Sequence, residues 1–473
     1  MSRIVTLTRN DDNMKKVNLM ILAGVSSTMA FAAGFGLYEG SARGNALGGA
    51  VMGKAVDASA NFYNPATLSD MTGTVVTVGM TTEHPTADMY VDGRSSRKMD
   101  PGCFVLPHAY IAQPLPWDFT FGLGIAPEYG LGTHYHKNWS MGWNTRDTTI
   151  KGIALNPNLS YAVTEDWSVS AGLRFMFFEF DQHSDQLAMR DGNSYGTVRD
   201  HLHGDNGMLD WGWQLSTRYK ITEKLSAGLM YKSFIDCKIK GYNHTKVEKY
   251  DDSAIGPQVQ KGVEAALAAA GVPAGTPMYN ALYKQYYSQA YGAAVQQAHG
   301  QVDQGAASAD GPASAKVRLP QSLTMGLNYD VTDDLHLGTA ATWTEWSCMD
   351  EINFHLPGDN DKTVPLKWND TWRVGFGAAY DLTENLTLMG SYIFDQDPCR
   401  RYHGTSMLPP GDRQIATIGF GYEWGNFDFS FSYGLVFMGG DSLFVRDDTG
   451  VRHKLESSNG LSHAAAVTVS YRF

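Results

Sequence analysis

From residue 74 onward, apolar and aromatic residues occupy every second position over segments of about ten residues, the period of strands with one apolar face. The clearest run is Phe427, Phe429, Phe431, Tyr433, Leu435 and Phe437, with Asp428, Ser430, Ser432 and Gly434 between them. The spacing recurs in Ile153, Leu155, Leu159, Tyr161 and Val163, in Leu209, Trp211, Trp213 and Leu215, and in Trp372, Val374, Phe376, Ala378, Tyr380 and Leu382. A helix needs 3.6-residue spacing, which none of these runs offers. Fourteen segments read as strands: 74–82, 103–113, 119–127, 150–163, 166–180, 208–221, 224–240, 318–331, 334–354, 369–382, 385–396, 412–424, 426–438 and 461–473.

The connections alternate between short and long. Thr164-Glu165, Thr222-Glu223, Thr332-Asp333, Thr383-Glu384 and Gly425-Asn426 are tight turns, and 114–118 is nearly as short. Residues 83–102, 128–149, 181–207, 241–317, 355–368, 397–411 and 439–460 are long. Short periplasmic turns, long outer loops and an even strand number are the requirements of an outer-membrane barrel. The chain closes on the alternating segment Val467 to Phe473, which resembles the terminal signal read by outer-membrane assembly machinery. The expected fold is all-β: a 14-stranded antiparallel transmembrane β-barrel over 74–473, monomeric, with outer-membrane lipids and that machinery as partners.

The amino terminus explains how such a chain reaches its membrane. Lys15-Lys16 precede an apolar run from Val17 to Ala32 that ends in Ala30-Phe31-Ala32. A basic start, a short apolar core and a small-x-small site mark 1–32 as a secretory signal, with Met14 a good alternative initiator. After Ala32 no apolar run of about 18 residues occurs, so a helical membrane span is not expected.

Composition narrows the function. Net charge is -12, which argues against a nucleic-acid partner because phosphate recognition needs a concentrated basic surface. Cys103, Cys237, Cys348 and Cys399 are widely spaced without a CxxC pair, so neither a zinc nor a redox motif is suggested. His134 with His136, and His201 with His203, share faces in outer loops without nearby cysteine or convergent carboxylates, and no metal or other cofactor is expected. Without a GxSxG elbow or an HExxH helix the chain lacks the core of a lipase or protease, and it is read as a non-enzyme.

Residues 33–73 are Gly- and Ala-rich without sustained alternation and read as a plug inside the lumen. Gly34-Phe35, Ser41-Ala42-Arg43-Gly44 and Phe62-Tyr63-Asn64-Pro65-Ala66 carry a family resemblance. Further matching segments are Leu155 to Tyr161, His203-Gly204-Asp205, Trp211-Gly212-Trp213, Trp343 with Trp346-Ser347, and Leu408 to Arg413. Together they make the mature chain resemble the outer-membrane long-chain fatty acid transporter family of FadL/TodX type, which includes OmpP1-like relatives.

The resemblance implies a hatch whose motif is Asn64, Pro65 and Ala66, and uptake of a hydrophobic small molecule by loop capture, a hatch-gated pocket and exit through the wall beside a kinked strand. The third strand, with Gly122, Gly124 and Pro127, is the place to look for that kink. Long-chain fatty acids are the expected substrate; aromatic hydrocarbons or alkanes are the alternative, ahead of a general porin or a lipid hydrolase. A fatty acid needs a lumenal cation, and alternation puts Arg174, Arg218 and Arg373 on polar strand faces. Each of the three could instead pair with a wall or plug carboxylate. Within 241–317 a helical segment follows Val259, Val263, Ala266 and Leu267, and Leu282, Tyr283, Tyr286 and Tyr287 are the candidate capture residues.

Overall fold

The computed structural model describes residues 34–473 except 137, 191, 208–209, 359 and 448–449, so the leader expected at 1–32, and Leu209, lie outside the described residues. Fourteen strands form the wall: β1 (Val75–Val91), β2 (Phe104–Pro114), β3 (Phe119–His134), β4 (Asp147–Ala162), β5 (Trp167–Arg190), β6 (Asp210–Lys220) and β7 (Leu225–Lys232). They continue as β8 (Ser322–Asp330), β9 (Leu335–Thr344), β10 (Thr371–Thr383), β11 (Leu386–Asp395), β12 (Arg413–Trp424), β13 (Phe427–Met438) and β14 (Arg452–Arg472). Neighbours are antiparallel, and β1 pairs with β14 from Val75↔Arg472 to Val91↔Leu455, closing the barrel. No described helix is long and apolar enough to cross a membrane.

The alternation seen in sequence becomes an inside and an outside. On β13, Ser430, Ser432 and Gly434 are buried while Phe429, Tyr433 and Phe437 are exposed. Outward apolar side chains face lipid, and Trp167, Tyr219, Tyr329, Tyr380, Tyr422 and Phe427 form an aromatic girdle at the short-turn end. Four of those turns share one device. The hydroxyls of Thr164, Thr222, Thr332 and Thr383 accept the backbone N–H groups two and three residues on, a local substitute for ladder bonds.

Several expected boundaries move. The sequence pattern predicts loops at 83–102, 128–149 and 181–207, yet β1, β3 and β5 run on into them, and Asn193–Asp205 folds back on β5 as a hairpin. Above the lipid both strand faces meet water or protein, so the one-sided pattern that identifies a wall strand is lost. The expected strand 224–240 is two: β7 ends at Lys232, and Ile235–Tyr250 pairs instead with Asn193–Asp205 and Gly311–Leu319. Likewise 318–331 divides into Gly311–Leu319 and β8, and 334–354 is interrupted by a 3-10 turn at Trp346–Cys348. The helices in 241–317 are α3 (Ile255–Ala269) and α4 (Pro277–Ala309), following the short plug helices α1 (Ala42–Ala46) and α2 (Ala60–Tyr63).

The plug fills the lower lumen. Its backbone at 47–52 lies so close to the wall that a Cβ on Gly228 would sit 2.0 Å from Met52 O, on Gly338 2.2 Å from Ala50 O, and on Gly377 2.4 Å from Leu47 O. These glycines lie on β7, β9 and β10 and make a side-chain-free track for the plug. Opposite, Arg43 reaches Asp428 at 2.8 Å and Ser430 at 3.1 Å, over Gly421, which leaves room for the guanidinium. Gly338→Val is therefore expected to displace the plug while the barrel still assembles. Planar-bilayer conductance should rise clearly above a near-zero wild-type level, with heat-modifiable gel mobility unchanged; unchanged conductance would remove the track from the account.

Candidate functional site

The wall breaks between β2 and β3. Their pairing runs from Pro114↔Thr120 to Ala109↔Ile125, and no further pair forms among the described residues, although β3 stays paired to β4 up to His134↔Asp147. Register shifts between Pro127 and Tyr129, so Glu128 is the extra residue of a bulge. Pro127 contributes no N–H, which suits the end of a ladder. From Ala126 to Thr133 every residue is buried: this half of β3 leans inward, away from lipid. Gly122 and Gly124, expected to weaken the strand, are regularly paired on both sides; their missing Cβ atoms make room for Asn61, Leu68 and Tyr110.

The chain's own N-terminal segment occupies the break. Leu37 N–H donates to Glu128 O at 2.8 Å and Gly130 N–H to Phe35 O at 2.7 Å, with Gly36 bridging to Tyr129. Leu37 packs on Leu106 and Ile153 at the slot itself. Phe35 enters an aromatic box, edge-on to Trp346 at 4.8 Å and to Tyr129 at 5.8 Å, with Trp368 at 5.8 Å and Phe178 at 6.4 Å.

Beside the box lies a cavity of about 100 Å³ lined by Tyr38, Phe62, Glu128, Lys232, Trp346 and Arg373, among others. The bulge aims Glu128 into it, where the carboxylate accepts from Arg174 Nε at 3.1 Å, Lys232 Nζ at 3.0 Å and Asn156 Nδ2 at 3.0 Å. Arg174 is thus held by the kink, and its Nη1 also donates to Ser233 O at 2.9 Å. Arg218 is held by Asp70 of the plug. Arg373 stands over the Tyr38 ring at 5.3 Å and faces the cavity, and Lys232 lies 4.6 Å from the Phe62 ring. Periodicity placed the three arginines inward but could not reveal the acids opposite them, nor Lys232, which sits at the end of its strand.

Asn64, Pro65 and Ala66 form an anchor. Asn64 Nδ2 donates to Met52 O at 2.6 Å and Thr217 O at 3.2 Å, while its Oδ1 accepts Ala66 N–H and starts the 3-10 turn Pro65–Asp70. Ser160 donates to Pro65 O, Ser168 to Ala66 O, and Ala66 N–H to Ser216. Asn61 links to Asn156 and Asn158. Three wall strands therefore grip this part of the plug directly.

Above the plug the lumen is closed by a methionine- and aromatic-rich core including Met89, Met141, Met176, Met407, Tyr135 and Trp139. At the rim, a cavity of about 610 Å³ lies between the β5 hairpin and the base of α4, lined by Leu187, Met189, Val198, Ala298, Val302 and Leu356. Burial pushes the Asp200 carboxyl on its wall up to about 6. Leu282, Tyr283, Tyr286 and Tyr287 lie farther out on α4. There Tyr279, Tyr283, Tyr287 and Tyr291 stack at 5.7–6.0 Å, and the Tyr287 hydroxyl approaches Gly256 of α3.

The sequence profile of the outer membrane protein transport protein family (OMPP1/FadL/TodX) matches residues 23–473. The chain belongs to this family. It is a transporter of hydrophobic compounds in the outer membrane, from a family of transporters and channels rather than enzymes. Over 488 residues it is 23% identical to the long-chain fatty acid transport protein of Escherichia coli O6:H1, covering 97% of this chain and 98% of the relative. The crystal structure of a Pseudomonas aeruginosa FadL homologue superposes with TM-score 0.72 at 20% identity, covering 93% of this chain and all of the other. The Pseudomonas putida toluene transporter TodX superposes with TM-score 0.65 at 17% identity, covering 94% of this chain and 100% of that one. At these identities the two structures show the fold alone.

Removing the acid at the kink tests the site's architecture. Glu128→Ala leaves two buried cations without their counter-charge and is expected to destabilise the folded barrel by roughly 3–5 kcal/mol. The check is the denaturant midpoint of refolded protein, and a midpoint equal to wild type would show that the cluster does not hold the kink.

Proposed function

We propose that this transporter takes up long-chain fatty acids, released sideways through the slot between β2 and β3. The observation that carries this reading is the pairing of an aromatic box, occupied by Phe35, with a cavity faced by Arg373 and Lys232. An acyl chain and a carboxylate need those two surroundings side by side. On this route the ligand is caught in the rim cavity and passes through the methionine-rich core, whose unbranched side chains repack easily. It then displaces Phe35. Leu37, two residues away, leaves the slot with it, and the ligand exits into lipid. The 100 Å³ cavity is smaller than the roughly 300–1,000 Å³ of ordinary small-molecule pockets, so ligand entry requires that displacement. The Arg174 and Arg218 guanidiniums serve structure on this reading, and Arg373 meets the carboxylate.

Aromatic-hydrocarbon uptake is the second reading, favoured by the box itself: a single ring is what it already holds. The two readings part at Arg373. Labelled oleate and labelled toluene are offered to cells lacking their own transporter and expressing this protein or its Arg373→Gln variant. The expected result is oleate uptake by wild type, reduced about tenfold in Arg373→Gln, as loss of about 1.4 kcal/mol of carboxylate binding would give. Toluene uptake that ignores the substitution, with no oleate uptake, would move the protein to the hydrocarbon branch. Replacing Asn64 and Pro65 together by alanine, which turns Asn64-Pro65-Ala66 into three alanines, should impair uptake with the barrel still assembled; normal uptake would take the anchor out of the mechanism.

A further inference from the structure

On the outer face of the rim, above the lipid, side chains from five strands stand abreast in register. His134 on β3 is opposite Asp147 on β4, Asp147 opposite His183 on β5, His183 opposite His201 on the returning hairpin strand, and His201 opposite His244 on Ile235–Tyr250. One row away, His203 is opposite Asp181 and Tyr242. We propose that Asp181, His183 and His201 bind a divalent transition-metal ion of the zinc, nickel or copper class on this outer surface.

Three observations carry the site. The His183 and His201 rings stack at 4.0 Å and 12°, and Asp181 reaches both, at 3.0 Å to His201 Nε2 and 3.7 Å to His183 Nδ1. One ligand atom from each residue lies within 4.8 Å of the others; a tetrahedral zinc ion, with bonds of about 2.0–2.1 Å, spaces its ligands roughly 3.4 Å apart. Small side-chain rotations close that difference. Second, His183 Nδ1 and His203 Nδ1 are shielded from solvent and make no hydrogen bond, so two imidazole nitrogens beside the Asp181–His201 hydrogen bond have lone pairs or protons left unmet. Third, the nearby cation is neutralised: Arg199 is held at 3.0 Å by both Asp185 and Glu248.

Imidazole with one carboxylate suits zinc, copper and nickel rather than magnesium or calcium. Three protein ligands leave a fourth position open, and His203, with its ring 5.1 Å from His201, is placed to fill or flank it. Side chains of Asp181, His183 and His201 are each about one-third exposed, so the cluster borders the external medium, and a small ring rotation opens His183 Nδ1 to it. Asp181 lies twenty residues from His201 in sequence, and the antiparallel register of the hairpin brings the two together. Metal held by β5 and its hairpin would clamp the strands that bound the rim cavity, linking ion binding to the stability of that wall.

The test uses full-length protein in detergent, freed of metal with EDTA and titrated with zinc chloride by calorimetry. Wild type should bind one zinc ion saturably. The double substitution His183→Ala and His201→Ala should weaken binding by more than the roughly 10–100-fold typical of outer-shell changes. His355→Ala, on another loop, should bind as wild type does. Heat-modifiable mobility checks that each variant is folded, and zinc should slow amide exchange across 179–205 in the unaltered protein. Absence of saturable binding by wild type, unchanged affinity in the double variant, or unchanged exchange in that hairpin would overturn the proposal.

Discussion

A backbone N–H or C=O facing hydrocarbon has no water to turn to, and this constraint organises the molecule. Thirteen of the fourteen seams in the wall meet it with strand pairing. The fourteenth, between β2 and β3, meets it in its upper half by leaning β3 inward and laying Phe35 to Leu37 against it. The same few residues thus complete the wall and close the pocket. Occupancy of the aromatic box and integrity of the wall are joined because Phe35 fills the box with its side chain and bonds β3 with its carbonyl, and one cannot change far without the other.

That arrangement divides the hatch by function. Asn61 to Ala66 are tied to β4, β5 and β6 by side-chain hydrogen bonds, and the 47–52 segment is fitted to a track of wall glycines. Phe35 to Leu37 are held by two backbone hydrogen bonds and apolar packing. Hydrogen bonds are directional, and losing one inside the barrel leaves a buried polar group unmet. Apolar contacts are exchanged without such a cost when another apolar group takes their place. On the proposed route the Phe35–Leu37 piece is the part a greasy ligand displaces, and the Asn-Pro-Ala piece keeps the rest of the plug seated meanwhile.

What was legible in the sequence follows from this physics. One-sided burial writes a period of two, so wall strands, turns and strand number could be read, as could the plug from its lack of period. Above the lipid, where strand faces meet water or protein, the outward apolar positions disappear and the signal with them, which is why the strands of the rim read as loops. The kink was half visible: Pro127 marked the strand, but the glycines beside it answer to Asn61, Leu68 and Tyr110, and nothing local announces that Glu128 is a bulge residue. Alternation points to the three lumenal arginines, whereas Glu128 and Asp70, which hold Arg174 and Arg218, come from distant segments. Pairings of that kind depend on register and plug position, which no short stretch of sequence encodes.

Magnitudes bear on how the pocket could open. Drawing a buried Phe such as Phe35 out of its box costs about 3–5 kcal/mol, by analogy with truncation of buried aromatics. An acyl chain of some sixteen methylenes transfers from water with about 0.8 kcal/mol per group, roughly 13 kcal/mol if wholly buried. Even half of that exceeds the cost of expelling Phe35 and leaves a surplus for parting Leu37 from the slot. Toluene is little more than the Phe side chain itself, so its exchange for Phe35 is nearly balanced and must be driven by concentration. On the proposed route, a long chain therefore opens the wall by its own binding, while a single ring can do so only in excess.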